Sequence, residues 1–155
     1  FNPEAMASWK RDTVREVDIV SGCFFLIRRD LWARLGGFDL RYFMYGEEAD
    51  LCLRARRLGC RPMITPGAEI MHLVGAASSS RAGQRVMVTK ARLTLIRDHW
   101  PALLVPSGIV LMWLWGALRL AATQTLALVS GERGRARAAY WAEIWATRRD
   151  WLRGY

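Results

Sequence analysis

The rhythm of hydrophobic positions changes along this chain. Val17 to Ile27 (VDIVSGCFFLI) is a β-branched and aromatic run, which predicts a buried strand. Gly22 inside it marks a bulge or a close approach to another group. Asp30 is placed to cap a short helix, Leu31 to Leu35, and Gly36-Gly37 is placed to end it. Phe38 to Gly46 reads as a loop with an aromatic side made by Phe38, Tyr42, Phe43 and Tyr45. The next helix runs from about Glu47 to Leu58, because Leu51, Ala55 and Leu58 recur at helical spacing and Gly59 follows as a cap. Short strands are expected at Arg61–Thr65 and Glu69–Val74, around a Pro66-Gly67 turn.

Beyond a small, polar connection at residues 75–83 the pattern becomes helical and basic over residues 84–99, until Pro101 breaks it. Ala102 to Leu118 holds no charge, Arg119 interrupts, and Leu120 to Val129 is uncharged again. These 28 residues exceed the roughly 20 needed to cross a bilayer. Pro106 and Arg119 leave a spanning helix and an interface-lying segment both open. In residues 132–155, Trp141, Ile144, Trp145 and Leu152 recur at steps of three, four and seven, with Arg148, Arg149 and Arg153 on other faces. That pattern suits a helix lying at a membrane surface.

Charge sharpens the division. Residues 1–80 carry 11 Lys and Arg against 10 Asp and Glu, whereas residues 81–155 carry 12 against 4. A basic, Trp-rich, apolar half suits an anionic membrane. Nucleic acid leaves the apolar run unexplained, so it is not an expected partner. At 155 residues the chain has room for about one domain. It starts at Phe1 and reads as a piece of a longer protein. Cys23, Cys52 and Cys60 follow no metal spacing and are expected to be buried free thiols.

The candidate chemistry lies at the start of the second helix. Glu47, Glu48 and Asp50 place three carboxylates within four positions. Crowded like charges raise proton affinity toward what a general base needs. The same acids also suit a helix N-terminus through the backbone dipole.

An ordered set surrounds them: Val20-Ser21-Gly22, Ile27-Arg28-Arg29, Gly36-Gly37-Phe38-Asp39, Phe43-x-Tyr45-Gly46-Glu47-Glu48-x-Asp50-Leu51-x-x-Arg54, Gly59, Pro66 and His72. Over about residues 17–80 this set resembles the C-terminal half of a family-2 glycosyltransferase, rhamnosyltransferase-like, of GT-A type. The resemblance implies an α/β fold around a mostly parallel sheet, which agrees with the alternation of elements read above. It divides the chain into an acceptor-side part of the transferase domain (1–80), a basic juxtamembrane helix (81–101), an apolar spanning or interfacial segment (102–130) and a basic amphipathic helix (131–155).

The resemblance also implies inverting transfer from a nucleotide-sugar donor to a lipid-linked or other saccharide acceptor, at the cytoplasmic face of the cell membrane. The general base falls on Glu48, where the family usually has Asp, with Glu47 as the alternative. Ser21 and Gly22 lie beneath the donor sugar, or form a plain bulge. Asp50, Arg54 and Tyr45 join the substrate side, a bracing role standing beside it for Asp50 and Arg54. His72 reaches the metal or diphosphate, or is structural. The divalent metal, Mg2+ or Mn2+, is held mainly by an upstream Asp-x-Asp, which this chain lacks, so the piece alone is expected to be inactive. The competing reading is a non-catalytic membrane-anchoring module whose acids only cap a helix.

Overall fold

The computed structural model describes residues 9–71 and 80–155. The chain forms two units, residues 1–39 with 47–74, and residues 40–46 with 75–155.

The first unit holds β1 (Arg15–Glu16), α1 (Arg29–Leu35), α2 (Glu47–Arg57) and β2 (Met63–Ile64). β1 and β2 are antiparallel, Arg15 opposite Ile64 and Glu16 opposite Met63. The Val17 N–H extends the ladder by donating to the Pro62 carbonyl at 3.0 Å. Arg56 of α2 reaches Glu16 at 3.4 Å and Asp18 at 3.2 Å, tying the pair to the helix. α1 ends as its glycines predict: Gly36 and Gly37 take φ of 73° and 75°. A side chain at Gly37 would meet the Trp32 ring at 3.0 Å. Phe38 then stacks edge-on against Trp32, centroids 5.0 Å apart.

Several expected elements differ. The strand predicted over Val17–Ile27 does not form; pairing stops at Val17, and Ile19, Phe24 and Leu26 stay exposed. A strand needs a neighbour to take its N–H and C=O groups, and among the described residues only 62–64 supply one. For the same reason 61–65 shortens to Met63–Ile64, and residues 69–71 form no strand. The sheet among the described residues is therefore two-stranded and antiparallel rather than mostly parallel. Arg28, not Asp30, occupies the N-cap position of α1; Asp30 sits in the first turn and accepts from Arg28 at 3.0 and 2.6 Å. That ion pair holds the Asp30 carboxyl below its usual range. Cys52 is buried, but Cys23 is exposed and Cys60 half-buried; all three are free thiols.

The second unit is helical: α3 (Arg81–His99), a 3-10 turn (Ala102–Leu104), α4 (Val105–Ala127), α5 (Gly131–Ala146) and α6 (Arg148–Trp151). α3 starts three residues earlier than periodicity suggests, because Ser80 caps it by accepting from the Gly83 N–H at 2.9 Å. It stops at Trp100, before Pro101. α4 follows Leu104 with Pro106 in its first turn, where a missing N–H costs nothing. Trp151 is nearly inaccessible, and its indole N–H donates to the Ile144 carbonyl at 2.9 Å. It shares a core with Leu93 and Ile96 of α3, against Val105, Ile109 and Met112 of α4. A second core joins Ala82 of α3 to Trp141 and Ile144 of α5, with Trp115 and Leu120 of α4. At the chain end, the Tyr155 N–H donates to Thr94 at 2.7 Å and its hydroxyl to the Met44 carbonyl at 2.7 Å.

Trp151 thus joins three helices at a point the chain reaches only in its last turns. Trp151→Ala should cost roughly 3–5 kcal/mol, seen as a lower denaturation midpoint by circular dichroism.

Candidate active site

The acidic run occupies the first turn of α2. Tyr45 and Gly46 precede it, both left-handed, with φ of 68° and 91°. Gly46 suits that conformation, whereas a bulky Tyr there is strained by about 1–3 kcal/mol. A side chain at Gly46 would meet Ala91 at 2.8 Å and the Tyr42 ring at 3.1 Å, so glycine is required twice over. Tyr45 itself is half-buried.

Helical geometry separates the three acids. Residues 47, 50 and 54 are three and four apart and share one face. Asp50 is buried, its side chain 4 % exposed. Arg54 reaches one Asp50 carboxylate oxygen with Nε at 2.8 Å and Nη2 at 2.7 Å. It also donates to the carbonyls of Leu35 at 2.6 Å and Gly37 at 2.8 Å. These carbonyls lie at the C-terminal end of α1, where the helix leaves acceptors unmet. Asp50 and Arg54 therefore brace α2 against α1, although sequence also suggests the substrate side for them.

Glu47 is half-buried, and its Oε2 is buried with no hydrogen-bond partner. Burial raises its proton affinity; its own backbone N–H works against this, and the neighbouring Glu48 charge adds to it. Glu48 turns to the adjacent face. Its side chain lies over Gly22, where an added Cβ would touch the Glu48 carboxyl carbon at 3.6 Å. The close approach that Gly22 suggests in the sequence is thus made by Glu48. The Cys52 thiol, one turn on, is pushed up by burial, eased by the Val20 N–H, and pushed up again by the Glu48 charge.

Ser21, Gly22 and Glu48 are therefore brought together. Ser21 is exposed and its hydroxyl lies 3.3 Å from the Cys23 sulfur. Ser21, Cys23 and Cys52 line an open cleft of about 1050 Å³ with Phe24, Leu31 and Ile64. His72 lies outside the described residues, as do Ser78 and Ser79. Among the described residues no three His, Cys, Asp or Glu side chains gather as a metal site. The described residues therefore do not make a metal centre by themselves. Two features had no clear signal in the sequence: the left-handed Tyr45, and the enclosed Oε2 of Glu47.

The sequence that carries these residues matches a known family. The chain belongs to the glycosyltransferase like family 2, which matches residues 4–91, more than half its length. It is 43% identical over 58 residues to the N-acetylglucosaminyl-diphospho-decaprenol L-rhamnosyltransferase of Mycobacterium tuberculosis, covering 37% of this chain and 19% of that protein. It is 44% identical over 61 residues to the rhamnosyltransferase WbbL of Escherichia coli, covering 39% and 22% respectively. An uncharacterized protein of Mycobacterium bovis is 32% identical over 108 residues, 64% of this chain and 41% of its own length. The chain thus spans about a fifth of the two rhamnosyltransferases. No solved structure matches it.

Two stability experiments follow from the geometry. Arg54→Ala leaves the Asp50 carboxylate buried without its guanidinium, and should cost roughly 3–5 kcal/mol in denaturant titration. Adding Asp50→Asn should recover part of that loss. For Glu47, folding raises the pKa, so the folded state holds the proton to higher pH than the unfolded chain does. Stability is then lost as pH rises through the folded pKa. Glu47→Gln should raise the melting temperature at neutral pH, and the advantage should vanish as pH falls below the usual carboxylate range.

Proposed function

We propose that this chain is the acceptor side of an inverting glycosyltransferase. It takes part in moving a sugar from a nucleotide-sugar donor to a lipid-linked saccharide at the cytoplasmic face of the cell membrane. Family membership supports sugar transfer in general. The decaprenol-linked substrate in the name of the M. tuberculosis relative supports a lipid-linked acceptor, and the names of that relative and WbbL support rhamnosyl transfer. Surface-polysaccharide synthesis is the setting we propose for it.

The observation that carries the reading is the placement of Glu48 against Gly22, with Glu47 turned inward. A general base must reach the acceptor hydroxyl. Glu48 lies against Gly22, whereas Oε2 of Glu47 is enclosed, and that favours residue 48 over residue 47 for the contact. Glu48 accepts the hydroxyl proton as the acceptor oxygen attacks the anomeric carbon and the nucleoside diphosphate leaves from the opposite face. The absence of a side chain at residue 22 keeps space open in front of Glu48. The divalent ion implied by this class, Mg2+ or Mn2+, would be held mainly by an Asp-x-Asp, a motif absent from this sequence, and would offset charge on the leaving diphosphate.

Glu48→Gln in the full-length enzyme should lower transfer about 10²–10⁴-fold while nucleotide-sugar binding, followed by calorimetry, persists. A helix-capping role alone gives the opposite pattern, with lower stability and unchanged turnover. Undiminished transfer by Glu48→Gln would remove residue 48 from the reaction.

A further inference from the structure

The apolar helix is covered on one side only. It runs from Ala102 to Ala127, 26 residues, and its most apolar stretch has mean hydropathy 1.7 and is just 11% buried. Val110, Leu111, Leu114 and Leu118 share one face by helical spacing, and they are 54%, 61%, 41% and 67% exposed. The opposite face holds Gly108, Gly116 and Thr123, the buried positions of α4.

Two charged helices lie against that buried face. Near the start of α4, Gly108 admits Ile96 of α3 and Trp100 so closely that an added Cβ would stand 2.8 Å from Ile96. Farther along, Gly116 sits against Trp145 and Trp151, and Trp115 stacks on Trp141 of α5 at 5.1 Å. Arg119, the lone charge within α4, lies over the rings of Trp115 and Trp141 at 5.6 and 5.7 Å. It therefore belongs to the seam with α5, away from the leucines. α5 opens with Arg133, Arg135 and Arg137, all exposed.

We propose that α4 lies in the plane of one anionic leaflet, its leucine face among the acyl chains, and does not cross the bilayer. This deepens the reading of the chain as membrane-associated and rests on it. A crossing α4 would draw α3 and α5 into hydrocarbon along with it, and their charges are costly at that depth. An in-plane helix needs only its bare side immersed, which leaves both charged neighbours at the headgroups. The partner is an anionic lipid surface because residues 81–155 carry 12 Lys and Arg against 4 Asp and Glu.

The test has two arms, both on the full-length protein. In the first, binding to phosphatidylcholine vesicles is compared with and without phosphatidylglycerol. Binding should require the anionic lipid, and Arg133→Gln, Arg135→Gln or Arg137→Gln should each weaken it about fivefold. In the second, Leu104→Cys and Leu128→Cys variants, with Cys23, Cys52 and Cys60 replaced by alanine, are labelled by a membrane-impermeant maleimide in sealed inside-out membranes and in spheroplasts. Both ends of the helix should label from the cytoplasmic side alone. Labelling of the two ends from opposite sides overturns the in-plane arrangement and leaves membrane association standing. Failure to bind either vesicle overturns both. If the cysteine-free protein is unstable, a bimane label at Leu114→Cys, with the exposed Cys23 and half-buried Cys60 replaced and the buried Cys52 retained, reports depth by brominated-lipid quenching. Quenching strongest near the headgroups supports the proposal, and quenching strongest at the bilayer centre refutes it.

Discussion

The acidic site depends on one guanidinium. Arg54 compensates the buried Asp50 carboxylate and caps the carbonyl end of α1. Stripping a buried carboxylate of its guanidinium is strongly destabilising, so Arg54 helps α2 to hold Asp50 inside. Once that register is set, the helix dictates the rest. Glu47 stands three residues before Asp50 and is drawn toward the same enclosed face. Glu48, about 100° further round, turns toward Gly22 and Cys52. Adjacent residues of one type thereby receive unlike surroundings, through nothing more than helical periodicity and a salt bridge one turn away.

How far the sequence discloses this arrangement depends on whether the cause is local. Helices are legible: α2 runs Glu47–Arg57 against an expected Glu47–Leu58, because capping glycines and helical spacing are properties of neighbouring residues. Strands are not. The run from Val17 to Ile27 has the composition of a buried strand, yet pairing depends on a second segment at hydrogen-bond distance, and among the described residues only 62–64 meet it. The glycines were informative for a similar reason. Gly46 marks a place where Ala91 and Tyr42 approach too closely for a Cβ, and Gly22 one where Glu48 lies in ordinary contact. The φ of Tyr45 has no such marker, since tyrosine avoids that conformation and is held there by its surroundings. The contrast between Glu47 and Glu48 was also hidden: the spacing names three acids but not which oxygen is enclosed.

The apolar helix shows a subtler limit of pattern reading. Its residues differ little in polarity around the axis, so hydropathy alone classes the whole run as a membrane span. The contrast that matters is one of size. Gly108, Gly116 and Thr123 on one side let α3 and α5 approach, while Val110, Leu111, Leu114 and Leu118 on the other are left bare. Small residues and large ones are equally uncharged, yet only the large ones gain by leaving water. A helix sided by volume can therefore bind charged helices along one flank and lipid along the other, although every position but Arg119 is free of charge. Arg119 obeys the same division: stacked on Trp115 and Trp141, it satisfies its charge at the protein seam. The lone residue that argues against membrane contact by composition thus sits on the side that has no need of it.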